Sequence, residues 1–147
     1  MTVRLSNSDS HTDDDNQQAA YTLLRLILGT NIFFHGVSRL LAGSALFAAK
    51  VVTQFAQTPL PRWSVYAFGL SLPWVEATLG FLLLIGLRTR AALIGGGLLI
   101  LILTFGSSLI QDWNAAGSQL IYALAYAALL FLLRYNTWSI DHALEKR

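Results

Sequence analysis

The sequence predicts an all-α fold: an integral membrane four-helix bundle with an amphipathic outer-surface helix between spans one and two. Three observations predict it. Charged residues make up 12% of the chain, about half the share usual in soluble domains, while hydrophobic residues make up 54%. Four apolar stretches, at 20–38, 66–87, 91–110 and 117–134, each approach the ~20 residues that carry a helix across ~30 Å of hydrocarbon. The basic residues stand singly at the ends of these stretches and form no common basic face, which excludes nucleic acid as a partner and leaves membrane lipid as the surroundings.

The elements follow in order. Residues 1–19 are polar, include Asp13, Asp14 and Asp15, and read as a disordered cytosolic tail. They lack the basic start and apolar run of a secretory leader. Residues 20–138 form the membrane domain, because a backbone in lipid must satisfy its own hydrogen bonds and does so as helix. The loop at 40–62 is long. Within it, Phe47, Val51 and Phe55 fall on one helical side and Lys50, Gln54 and Gln57 on the other, the pattern of a helix lying in the membrane surface. Thr58-Pro59-Leu60-Pro61 ends it. The remaining loops, Arg88-Thr89-Arg90 and 112–116, are tight and make consecutive spans antiparallel neighbours. Ala92, Gly96, Ala123 and Ala127 offer small packing faces. Residues 139–147 read as a cytosolic C-tail.

Lysine and arginine placement orients the spans. Arg4, Arg88, Arg90, Arg134, Lys146 and Arg147 share one side, against Arg39, Lys50 and Arg62 on the other, so both termini are expected in the cytoplasm. Trp63, Tyr66 and Trp113 are expected at the outer interface, and Tyr21, Tyr135 and Trp138 at the inner one.

The chemistry-bearing residues lie within the spans. Arg25, Asn31, His35 and Arg39 fall within an arc of about 120° on span one. Hydrocarbon cannot solvate that stripe, so it must face the interior or a wet cavity. Span two carries Glu76, the one acid within any apolar stretch, and antiparallel geometry sets it opposite His35 and Arg39. Its depth depends on where the helix begins: near Tyr66, or at Ser71 with Pro73 in the first turn. Thr104, Ser108 and Gln111 share a face of span three, and Gln119, Tyr122 and Tyr126 a face of span four. Together these predict a polar pocket in the outer half of the bundle. Glu76, His35 and Arg39 are its candidate catalytic residues; Asn31, Ser108, Gln111, Tyr122 and Tyr126 are its candidate ligand-binding residues. A His–Glu–Arg cluster that simply ties two helices together is the competing structural reading.

Several chemistries are excluded. With no cysteine, the chain supplies no disulfide relay, thiolate nucleophile, iron–sulfur ligand or covalent haem. Of three histidines only His35 lies at membrane depth, too few ligands for a metal or a bis-histidine haem. Gly95-Gly96-Gly97 sits in an apolar helix without the strand and lysine of a phosphate loop.

Three segments carry a family resemblance: His35-Gly36-Val37-Ser38-Arg39, Glu76 with the run Gly80-Phe81-Leu82-Leu83-Leu84-Ile85-Gly86-Leu87-Arg88-Thr89-Arg90, and Trp138-Ser139-Ile140-Asp141. They resemble the DoxX/DoxD family of four-helix bacterial membrane proteins, over nearly the whole of 21–141. The resemblance implies residence in the bacterial inner membrane and an association with quinone, a redox partner protein, or both. It does not establish catalysis. Arg39 stands where many relatives carry Lys and keeps the charge, whereas span three lacks the histidine that many relatives have.

Three function classes fit these residues. The leading one is a quinone-linked, redox-associated subunit: His35 and Arg39 would donate to quinone oxygens and Glu76 would exchange protons. The second is a transporter of protons or a small solute, for which four spans without an inverted repeat offer little machinery. The third is a noncatalytic anchor or assembly subunit.

Overall fold

The structure, a computed structural model, describes residues 7–146. Six α-helices follow one another: α1 (Asn7–Leu41), α2 (Ser44–Gln54), α3 (Arg62–Ile85), α4 (Thr89–Leu109), α5 (Trp113–Phe131) and α6 (Ile140–Glu145), with a 3-10 turn at Leu133–Tyr135. Among the described residues there is no strand. The chain is all-α, as the apolar periodicity requires.

α1 starts well ahead of the apolar stretch at residue 20. Residues 7–19, expected as disordered tail, continue the helix instead, while residues 1–6 of that tail lie outside the described residues. Gln17, Gln18, Ala19 and Ala20 are good helix formers, and extending a helix that already exists costs little. At 35 residues α1 is about 52 Å long, well beyond the ~30 Å of a hydrocarbon core.

α3, α4 and α5 are each long and apolar enough to cross a membrane. α1 meets that standard only when taken together with α2, which leaves it at a bend of 101°. The cause is the polar stripe of α1. Gly43 makes the bend with φ 99°, a left-handed value that glycine adopts without strain.

α2 lies across its neighbours, as its two-sided pattern predicts. Ala48 is fully buried against Gly69 of α3, and the Phe55 ring lies against Gly106 near the end of α4. The two glycines are what allow this helix to settle so low.

α1 packs against α3, α3 against α4, α4 against α5, and α5 more sparsely against α1. The α1–α3 contact is the most intimate, backbone against backbone. A Cβ on Gly36 would overlap Ala77 and the Pro73 carbonyl, and one on Gly80 would overlap the Phe33 backbone. Small residues let helices approach this closely in lipid, where packing replaces the hydrophobic drive. Tyr21, Leu28, Ile32, Leu83, Ala92, Leu93, Ile100, Tyr126 and Leu129 form the apolar core. Tyr21, expected at the inner interface, is thus a core residue, whereas Trp63, Trp113 and Trp138 are exposed.

Outside and inside are inverted relative to a soluble protein. Ile27, Leu101, Ile121, Leu124 and Phe131 face outward, while Arg25, Glu76, Thr89 and Ser107 are buried. Water would penalise such an apolar exterior, and lipid does not. Several candidate membrane-spanning helices with this exterior describe a multi-pass membrane protein.

Candidate functional site

The direction in which α1 faces decides which polar groups meet. Its buried positions are Tyr21, Thr22, Arg25, Leu28, Gly29, Ile32 and Gly36. At ~100° per residue these centre on Arg25. Arg39 lies about 40° from that centre, His35 about 80° and Asn31 about 120°. The two arginines therefore turn inward, while His35 and Asn31 stand at the flank and are exposed.

α3 brings the carboxylate. The helix begins at Arg62 and contains Pro73, so Glu76 lies about 21 Å from its start, deeper than a start at Ser71 would place it. Glu76 is buried, with 4% of its surface exposed. Arg39 Nη1 donates to both of its carboxylate oxygens. The Arg39 side chain is 28% exposed, and its guanidinium stacks 4.7 Å from the centre of the Phe47 ring of α2. One ion pair thus ties α1 to α3, and one cation–π contact ties it to α2. An isolated carboxylate at the bilayer centre costs about 2.5–3.5 kcal/mol on insertion scales, and this guanidinium is what offsets it.

The other expected residues divide. Glu76 is within electrostatic range of His35 and of Tyr126. Tyr126 is buried, its ring lies on Gly96, and its hydroxyl has no hydrogen-bond partner. Tyr122 Oη donates to Asn31 Oδ1 at 3.0 Å, bridging α5 to α1 at an exposed seam. Ser108 and Gln111 do not join this group. Ser108 Oγ donates to the Thr104 carbonyl of its own helix at 2.8 Å, and Gln111 sits exposed in the following turn with φ 56°. The buried face of α4 runs through Ala92, Leu93, Gly96, Leu99, Ile100 and Ser107, which turns Ser108 about 100° away. Its neighbour Ser107 makes the interhelical contact, accepting from Gln119 Nε2 at 2.9 Å.

The expected polar pocket therefore gathers only some of its residues: Arg39, Glu76 and Tyr126 turn inward, Asn31, His35 and Tyr122 stand at the flank, and Ser108 and Gln111 lie apart. A cavity of about 250 Å³ beside Arg39 is lined by Ser38, Arg39, Ala42, Gly43, Leu46, Phe47 and Lys50 and does not reach Glu76. Asn31, His35 and Tyr122 flank the sparse α1–α5 seam on the outside. Among the described residues, no three His, Cys, Asp or Glu side chains gather as a metal site would need.

A second polar cluster, at the opposite end of the bundle, was not anticipated. Arg25 is 2% exposed. Its Nη1 donates to the Leu83 carbonyl and, at 3.3 Å, to that of Leu84; its Nη2 donates to the Trp138 carbonyl at 2.8 Å. It neutralises the carbonyl end of α3, where the helix dipole is negative. Asp141 accepts from the Arg88 and Thr89 amides at 2.6 and 2.7 Å and so caps α4. The Asp141 amide donates to the Gly86 carbonyl at 2.9 Å, and Asn136 Nδ2 to Thr89 Oγ1 at 3.1 Å. Residues 139–141, the start of the expected 139–147 tail, are therefore held against the bundle, while residues 143–146 are exposed and Arg147 lies outside the described residues. The signal was present in the sequence: Gly86-Leu87-Arg88-Thr89-Arg90 and Trp138-Ser139-Ile140-Asp141 share one side of the topology, and Asp141 is the acid that the first segment's amides need.

No protein-family model, curated protein or solved structure matches this chain. The reading of its function rests on the two polar clusters themselves.

Proposed function

We propose that the chain is a four-span protein of the bacterial inner membrane, with both termini cytoplasmic, and that it serves as a quinone-linked, redox-associated subunit of the DoxX/DoxD kind. The observation that carries this reading is the Arg39–Glu76 pair, a buried carboxylate held by a guanidinium that is itself partly open. Asn31, His35 and Tyr122 stand nearby at the thinly packed α1–α5 seam, where a lipid-soluble head group can approach sideways.

Reduction of a quinone to a quinol consumes two electrons and two protons. His35 and Arg39 supply donors for its oxygens, and Glu76 supplies a group that takes up and releases a proton. The electrons come from a redox partner protein. The polar residues on the lipid-facing flank support a membrane ligand over a solute passing through the middle, since the bundle interior is filled by Tyr126, Leu83 and Leu93.

The test is quinone content and titration. Detergent-purified wild type is expected to retain extractable quinone and to bind a short-chain quinone saturably. Glu76→Gln and His35→Ala are each expected to weaken binding at least about tenfold. Equal quinone content and equal affinity in all three proteins would remove the proposal.

A further inference from the structure

We propose that an anionic phospholipid binds at the α3–α4 turn, its phosphate between Arg88 and Arg90 and an acyl chain along the outer face of α4. This rests on the membrane setting alone and is independent of the quinone reading.

A cavity of about 360 Å³ is lined by Arg88, Arg90, Ala91, Ile94 and Asp141. Both arginines are exposed, and among the described residues neither guanidinium makes a hydrogen bond or an ion pair. Asp141 is the one acid in the lining, and both its oxygens are held by the Arg88 and Thr89 amides. That leaves two unpaired cations facing one carboxylate already satisfied by backbone donors. Asp141 already occupies the Arg88 and Thr89 amides, and the recognition falls mainly to the guanidinium groups, which match phosphate geometry. Arg88 also holds φ 48°, a left-handed value that disfavours any residue with a Cβ.

The floor of the cavity continues into lipid. Ile94 (44% exposed), Leu98 (56%) and Leu101 (65%) follow one another down the same face of α4. From Arg90 to Leu101 is about 16 Å, comparable to much of an acyl chain's length. A free phosphate would use the cations and ignore this stripe. A zwitterionic lipid would bring its own cation against the two arginines. Basic sites at the ends of membrane helices recognise anionic head groups in this manner.

The full chain, delipidated in detergent, would be titrated with phosphatidylglycerol and with phosphatidylcholine. Phosphatidylglycerol is expected to bind at least about tenfold more tightly, and less tightly as salt is raised from about 50 to 500 mM, where screening shortens the reach of charge. Arg88→Gln/Arg90→Gln is expected to abolish the preference, whereas Arg62→Gln at the far end of α3 leaves it intact. Equal affinity for the two lipids overturns the proposal. So does a salt-independent preference in the wild type, a reading that holds even if the double variant fails to fold. Displacement of the lipid by millimolar inorganic phosphate would reassign the cavity to soluble phosphate and likewise overturn it.

Discussion

Replacing Gly36 with alanine tests the α1–α3 contact directly. The new methyl would lie 2.8 Å from Ala77 Cα, about 0.6 Å inside ordinary contact, and nearer still to the Ala77 nitrogen. All of these are backbone atoms, so no rotamer change relieves the overlap; the helices must part. Overpacking of this kind costs about 1–3 kcal/mol. Parting the helices also stretches the Arg39–Glu76 pair, three residues along from Gly36 on one side and three from Pro73 on the other. Gly97 is the matched control, since a Cβ there meets nothing within 4 Å. Glycine-to-alanine in an open helix interior gains about 0.5–1 kcal/mol. The same gain accrues at Gly36, so Gly36→Ala should fall below Gly97→Ala in thermal unfolding in detergent by the overpacking cost alone, about 1–3 kcal/mol. Equal stabilities, or a Gly36→Ala protein more stable than Gly97→Ala, would show that α1 and α3 do not touch through their backbones.

Further outcomes follow from the two polar clusters. Arg25→Ala leaves the Leu83, Leu84 and Trp138 carbonyls without their donor and should destabilise the fold by about 3–5 kcal/mol in a denaturant titration, with Arg25→Lys recovering part of the loss. Asp141→Ala removes the α4 cap at a cost of about 1–2 kcal/mol, and hydrogen exchange should show lost protection at the Thr89 amide while the core of α4 stays protected. A double-mutant cycle of Glu76→Gln and Arg39→Met should give a coupling of about 1–3 kcal/mol; a coupling near zero would mean that the pair does not form.

The helical class and the positions of the long apolar helices were legible because composition and apolar run length are local properties. The Arg39–Glu76 pair was legible too, since one acid and one basic stripe on antiparallel neighbours leave few arrangements. What escaped was angular. Asn31 and His35 share an arc with Arg25 and Arg39, yet glycines at 29 and 36 draw α3 to one edge of that arc and leave the other edge outside. Ser107 rather than Ser108 faces α5 because it continues the buried face of α4, a single-residue rotation that a short polar stripe cannot resolve. Arg88 looked like a simple topology anchor because its left-handed backbone and the distant Asp141 that holds it are tertiary facts.

The polarity of α1 bears on how the chain enters its membrane. On the four-span reading, the first helix emerges from the ribosome carrying Arg25, Asn31, His35 and Arg39, with Glu76 and the Leu83 carbonyl still to be synthesised. Until α3 arrives, nothing in hydrocarbon neutralises Arg25 and Arg39. The opening segment must therefore linger at the insertion machinery or in the interface and be pulled into place by a later span, so that α1 and α3 are delivered as one hairpin with α2 folded between them.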